Sequence, residues 1–336
     1  MNELASKLQE YLSKRRSNAT IIVEEFSKLD SGSEIQKYTF VEISTVDAKT
    51  ITSKFVLRMY FKILPDHCIK SEFTIMDRLY NESFPVPRVI IYEEDDSILG
   101  GPFLIMEYVE HTPFLPKVMD ATPDQQQYWM RKFTGLLVKL HQIDWKKIIT
   151  DKTPKNLDDP FITIDAVLTK YIKEWEEHGL TLYKTTVDWL HKHKENHPVE
   201  KMAFNHRDYH FHNVIVTEND SLCLVDWNNA NVGDIRTDIV NALNIFRLIK
   251  QDDLGNLFLE LYEEISGESI GDLSFYEVLS ALQLVIYCVY TIERLGKESE
   301  VNVKRQNEYR SYLGNMYEFL IKRTRIRIPE AEEMLG

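Results

Sequence analysis

One stretch constrains this chain more than any other: NHRDYHFHNVIV at 205–216, followed by TENDS and then LCLVDW ending at Trp227. Val214 to Val216 and Leu222 to Val225 are short apolar runs joined by five polar residues, the pattern of a β-hairpin with a longer loop. In an antiparallel hairpin the residue entering the first strand and the residue leaving the second lie at the same open end. Here those residues are Asn213 and Asp226, and Asp208 sits five residues before Asn213 on the loop feeding the hairpin. The spacing therefore predicts two oxygen ligands and one further carboxylate at a single mouth. Hard oxygen ligands suit Mg²⁺, which takes few protein side chains and completes its shell with water and phosphates. A carboxylate beside such a site can accept a hydroxyl proton, and phosphoryl transfer needs this division of labour. A lone Asp in a loop is ordinarily a turn former; three such groups at hairpin spacing behind His-Arg-Asp are a rarer coincidence.

The rest of the sequence bounds what could surround that hairpin. A chain of 336 residues, 43% hydrophobic and 28% charged, is long enough for about two globular domains. Cys68, Cys223 and Cys288 are odd in number and widely spaced, so neither a disulfide framework nor a metal knuckle is expected. That implies a reducing, cytoplasmic setting. A net charge of −13 argues against non-specific nucleic-acid binding, which needs a basic surface. The start, MNELASKLQEYLSKRR, has no apolar core and does not read as a signal peptide. The apolar run 281–290 is too short to span a bilayer, so a buried helix and no membrane partner are expected.

The texture changes along the chain. After an amphipathic helix carrying Leu4, Leu8 and Leu12, strands are expected at Ile21 to Val23, Tyr38 to Ile43 and Phe55 to Leu57. Residues 68–80 have helical spacing at Ile69, Phe73, Met76 and Leu79, and Pro-Val-Pro at 85–87 ends it. Strands at 88–92 and 103–108 follow, with turns between them at 95–97 and 100–102. From about residue 112 helices dominate. Capping boxes are expected at Thr122 to Gln125 and at Ser274 to Glu277. Helices are also expected at 162–176, 180–195 and 301–324, and the only strand in this half at 201–227.

His-x-Asp-x-His-x-x-Asn followed by a strand ending in Asp-Trp matches His206, Asp208, His210, Asn213, Asp226 and Trp227. This pattern resembles the aminoglycoside phosphotransferase / choline kinase-like family, the small-molecule kinases of protein-kinase-like fold. A protein kinase would show Asp-Phe-Gly where this chain has Asp226-Trp227-Asn228. The front half agrees. The strand 55–60 resembles the one carrying the phosphate-binding cation, here Arg58, and Glu72 matches its carboxylate partner. The strand 103–110 resembles the one entering the hinge.

The resemblance covers roughly residues 20–245 and implies an α+β, bilobal protein-kinase-like fold: an N-terminal antiparallel sheet with one helix, and a larger, mostly helical C-terminal lobe. The implied divisions are 1–106 for the nucleotide-binding lobe, 107–111 for the hinge and 112–336 for the catalytic and substrate-binding lobe. The implied cofactors are ATP and Mg²⁺, and the implied partner is a small-molecule hydroxyl acceptor. By the same resemblance Asp208 is the catalytic base and Asn213 and Asp226 hold the metal. Gly32, Ser33, Arg58 and Glu72 serve the phosphates, Met106 is the gatekeeper, and the Glu107 carbonyl and Val109 amide meet adenine. His206 is expected to be structural, and Asp238 to brace the catalytic loop.

Three features depart from the pattern. Arg58 stands where protein kinases have Lys; a guanidinium can bind phosphate bidentately, so function survives. The phosphate loop at 30–34 has one glycine rather than three, and Phe211-His212 replaces the frequent Pro-Gly. One alternative is a metal-dependent hydrolase using His206, Asp208, His210 and His212 as ligands. It leaves Arg58, Glu72 and the hinge unexplained. The thin phosphate loop motivates another, a nucleotide-binding pseudokinase. A Walker-type NTPase is excluded, since GxxxxGK[ST] does not occur.

Overall fold

The structure, a computed structural model, describes residues 3–29, 35–60, 66–149, 158–295 and 300–336. Gly32 and Ser33 lie outside the described residues. The chain forms two compact units, Met1–Thr112 with Ile215–Asn228, and Pro113–Val214 with Asn229–Gly336. A single break at 107–111 would assign the hairpin to the second half of the chain. In the structure its residues 215–228 group with the first unit instead.

The first unit is built on an antiparallel sheet. Strands β1 (Thr20–Leu29), β2 (Ile35–Val46), β3 (Lys49–Tyr60), β4 (Val89–Glu93) and β5 (Phe103–Glu107) pair in the order β1-β2-β3-β5-β4. The apolar runs expected as strands at 21–23, 38–43 and 55–57 lie within much longer ones. Asp47 and Ala48 both have positive φ, 47° and 61°, which makes a two-residue turn matched to strand twist. This turn sets the β2–β3 register, in which Lys37 lies opposite Arg58. The helix Glu3–Arg15 buries Ala5, Leu8 and Leu12 against Ile21, Val23, Phe40, Leu57 and Phe103. Each fully buried leucine contributes about 1.5–3 kcal/mol. The helix Asp66–Asn81 between β3 and β4 carries Glu72. Between β4 and β5 the expected turn winds into one helical turn, Asp96–Leu99. Asp95 caps its start and Gly100, at φ 96°, ends it.

Strands β6 (His111–Pro113), β7 (Met202–Asn205), β8 (Val214–Thr217), β9 (Leu222–Leu224) and β10 (Asn231–Asp234) form two small sheets. One runs β6-β8-β9 and contains the expected hairpin; the other pairs β7 with β10, antiparallel. β10 escapes sequence reading because its four residues, Asn-Val-Gly-Asp, include a single apolar side chain of strand type.

Besides β7 and β10, the second unit is built of helices. Leu168, Leu190, Leu282, Val285, Leu313 and Met316 belong to one core, contributed by helices Ile162–Glu177, Lys184–His193, Ser274–Arg294 and Glu300–Thr324. Ser274–Arg294 is long and apolar enough to cross a membrane by length and composition, yet 72% of its apolar window is buried inside the protein. The capping box expected at its start does not form. Asp272 Oδ1 instead accepts from the Ser274 amide at 2.8 Å. Glu277 turns inward, where the Arg247 and Arg323 guanidinium groups each hold one of its oxygens at 2.6 Å. Two cations outbid a single backbone amide for a buried carboxylate.

Candidate active site

In the second unit the loop after β7 carries the His-Arg-Asp residues. Asp238, fully buried in the first turn of helix Arg236–Leu248, accepts from the backbone amides of His206 at 2.7 Å and Arg207 at 2.5 Å. His141 closes on the same carboxylate, with Nε2 3.3 Å from Asp238 Oδ2 and Nδ1 2.7 Å from the Tyr262 hydroxyl. Asn241 donates to the Arg207 carbonyl at 3.0 Å, and the Tyr209 hydroxyl donates to the Phe133 carbonyl at 2.6 Å. Held at these points, Arg207 sits at φ 65°, a conformation that side chains other than glycine adopt at a cost. Asp238 thus braces the loop, and His206 is fully buried beneath it.

The tethered loop presents Asp208. Asn213 Nδ2 donates to Asp208 Oδ2 at 2.9 Å and to its backbone carbonyl at 2.8 Å. That contact uses the amide nitrogen and leaves the amide oxygen out. His210 Nε2 lies 3.1 Å from Asp208 Oδ1, while His210 Nδ1 accepts from the His212 amide at 3.2 Å. An accepting Nδ1 puts the ring proton on Nε2, facing the carboxylate. Asp208 is 44% exposed. Burial of its inner face pushes its pKa up, but the hydrogen bond from His210, the neighbouring imidazoles and the bond from Asn213 outweigh this and hold it below the ordinary carboxylate value.

In the first unit a second cluster forms. Arg58 on β3 and Glu72 are both buried, with Arg58 Nη1 donating to Glu72 Oε1 at 2.7 Å. The Tyr60 hydroxyl donates to the other Glu72 oxygen at 2.6 Å. Burial acts against the Arg58 charge, but the Glu72 carboxylate beside it more than compensates and keeps it cationic. Burial raises the Glu72 pKa against the pull of Arg58 and Tyr60.

Two residues past β9, Asp226 stands at φ 72°, with Trp227 fully buried beside it. The Trp227 Nε1 donates to the Leu224 carbonyl at 3.1 Å, and Phe84 packs edge-on against its ring. Arg58 Nη2 reaches Asp226 Oδ1 at 3.2 Å, Lys37 Nζ reaches Oδ2 at 3.3 Å, and Asn228 Nδ2 donates to Oδ1 at 2.9 Å. The Arg58 Nε is buried without a hydrogen-bond partner among the described residues.

Beyond β5 an open cavity of about 490 Å³ is lined by Pro85, Glu107, Tyr108, Val109 and Cys223, among others. Met106 is buried in the sheet, opposite Val56 and Val89. The Tyr108 amide bonds the Lys54 carbonyl at 3.1 Å, and the Val109 carbonyl meets His111 Nδ1 at 2.7 Å. Burial pushes the Cys223 thiol up to about 12.

The structure therefore gathers Arg58, Glu72 and Asp226 in one unit and Asp208 with Asn213 in the other. Sequence reasoning missed Lys37, Tyr60 and Asn228, and Lys37 carries no motif: only the strand register places it opposite Arg58. The hydrolase alternative loses its ligand set, since among the described residues no three His, Cys, Asp or Glu gather to hold a metal. His206 is buried in the loop scaffold, and the His210 and His212 rings lie 5.7 Å apart, edge to face.

Residues 40–275 match the phosphotransferase enzyme family. The chain belongs to this family. It has the same fold as a putative aminoglycoside phosphotransferase of Ralstonia eutropha (TM-score 0.66, 18% identity, 94% of this chain and 98% of that one). It also shares the fold of an ethanolamine kinase of Plasmodium vivax (TM-score 0.59, 15% identity, 89% and 83%). These neighbours give it a kinase-like α+β bilobal fold. By sequence it is 26% identical over 270 residues to acyl-CoA dehydrogenase family member 10 of Mus musculus, 73% of this chain and 25% of that protein. To the probable acyl-CoA dehydrogenase IBR3 of Arabidopsis thaliana it is 25% identical over 226 residues, 63% and 27%. The chain thus spans about a quarter of the length of these curated relatives.

Proposed function

We propose that this phosphotransferase is an ATP-dependent kinase that moves the γ-phosphate to a hydroxyl of a small molecule, such as an aminoglycoside, amino alcohol or sugar. The observation that carries the reading is the Arg58–Glu72 pair joined to Asp226. It is a buried cation anchored by one carboxylate, in reach of a second, more exposed one, with its Nε unpartnered among the described residues. That donor set fits a metal-bound polyphosphate: the guanidinium suits phosphate oxygens and the carboxylate suits Mg²⁺. Asp226 in one unit and the Asn213 amide oxygen in the other would each offer Mg²⁺ an oxygen ligand, and the ion would supply charge neutralisation on the phosphates.

Asp208, kept ionised by His210, accepts the proton of the acceptor hydroxyl as its oxygen attacks. Arg58, aimed by Glu72, neutralises phosphate charge. The Glu107 carbonyl and Val109 amide take the adenine edge, with Met106 behind them. An aminoglycoside phosphotransferase of similar fold, APH(4)-Ia, forms a ternary complex with ADP and hygromycin B, which supports adenine nucleotide and a hydroxylated acceptor here. The dehydrogenase activity named in the longer relatives is not assigned to this chain. The test is ADP release from Mg-ATP across a panel of aminoglycosides, amino alcohols, sugars and nucleosides. Release should depend on one acceptor class and stop with a chelator. Absence of both nucleotide binding and ADP release across the panel would overturn the reading.

A further inference from the structure

We propose that Lys37 is a second phosphate-holding cation of the nucleotide site, resting on Asp226 until metal and polyphosphate arrive. The assignment rests on the kinase reading and adds a residue to it.

Lys37 on β2 lies directly opposite Arg58 on β3. Directly opposed strand residues carry their side chains on one face with Cβ atoms about 4.5–5.5 Å apart, and like charges there repel. Two cations so placed need a shared anion, and Asp226 supplies it, one oxygen to each. These contacts are loose. At 3.2 and 3.3 Å they are longer than the usual charge-assisted range of about 2.7–2.9 Å, whereas Arg58 grips Glu72 at 2.7 Å. Exposure divides the same way. Lys37 and Asp226 are 31% and 29% exposed, Arg58 and Glu72 5% and 1%. Arg58 is thus fixed from behind, while the Asp226 side of the cluster is open to exchange.

The exchange has one chemically sensible course. Once Asp226 serves a divalent metal, both cations lose the anion that let them stand side by side. The arriving partner that replaces it must be anionic on several oxygens and come with the metal, and a nucleotide polyphosphate meets both conditions.

Calorimetry on wild type, Lys37→Met and Lys37→Arg tests this without relying on turnover. Ligands are Mg-ATP, Mg-ADP and adenosine, and Mn²⁺ alone serves as the metal probe. Lys37→Met should weaken Mg-ATP and Mg-ADP about tenfold or more and leave adenosine unchanged, and Lys37→Arg should recover most of the loss. Mn²⁺ alone should bind Lys37→Met a few-fold more tightly, because a competing cation has left Asp226. Loss of all ligands together, adenosine included, would mean a damaged fold and would overturn the assignment, as would unchanged Mg-nucleotide binding or weaker Mn²⁺ binding. Wild-type protein that binds no adenine nucleotide would instead sink the kinase reading, and the assignment with it.

Discussion

The two clusters of the candidate site are held by different forces. Asp208 stands on a loop fastened by backbone hydrogen bonds to one buried carboxylate, Asp238, and by a histidine whose tautomer is fixed by a main-chain amide. Asp226 stands among side-chain charges, touched by Lys37, Arg58 and Asn228. Backbone bonds at 2.5–2.7 Å define one geometry; loose ion pairs tolerate several. A group that must meet a hydroxyl in line gains from the first arrangement. A group that must release its partners to take a metal gains from the second. The comparison teaches that preorganisation and exchangeability are built from different bonds in one chain.

The sharpest way to break the comparison is at Asp208, the proposed proton acceptor. Asp208→Asn keeps the shape and the bond from Asn213 but removes the proposed base. Turnover should fall about 10²–10⁴-fold while calorimetric nucleotide affinity stays near wild type. Near-normal turnover would remove Asp208 from the chemistry. In the charged cluster the matching change is Arg58→Met, which leaves Glu72 buried beside no cation. Urea unfolding should show a loss of about 3–5 kcal/mol. A loss below about 1 kcal/mol would mean that the pair is not what holds β3 to the helix Asp66–Asn81.

Asp238→Asn probes the fastening of the loop. One amide of the His206–Arg207 pair keeps an acceptor and the other faces an NH₂ group. Denaturant unfolding should show about 1–3 kcal/mol of destabilisation, and turnover should fall with no change in nucleotide affinity. If nucleotide affinity fell instead, the loop would not be fastened separately from the charged cluster.

These contrasts were unequally legible in the sequence. The Asp208 loop could be read because the contacts among its own residues are local: Asp208 and Asn213 are five residues apart, and His210 lies between them. The amphipathic helices could be read because a buried face repeats at helical spacing, as with Leu8 and Leu12. Lys37 could not, since its place beside Arg58 depends on a two-residue turn at Asp47 and Ala48 that sets which residue of β2 opposes Arg58. β10 could not, because its pairing with β7 is carried by backbone rather than by an apolar pattern. Ser274 to Glu277 misled because the spacing of a capping box is also the spacing of two unrelated jobs. Glu277 serves two distant arginines that no local window contains.

The smallest effects come from a matched pair of hydroxyl deletions, one in each cluster. Tyr60→Phe removes a donor to the ionised Glu72, a bond of 2.6 Å. Tyr209→Phe removes a donor to the neutral Phe133 carbonyl, also at 2.6 Å. Both rings are buried, so the apolar contacts stay and the hydrogen bond alone is lost. Equal lengths would suggest equal costs, but the acceptors differ in charge. Bonds to charged groups contribute about 1.5–3 kcal/mol and neutral ones about 0.5–1.5 kcal/mol. Tyr60→Phe should therefore cost more than Tyr209→Phe in urea unfolding. If the two costs were equal, Glu72 would be behaving as a neutral acid, and the ionic description of the Arg58 cluster would have to be abandoned.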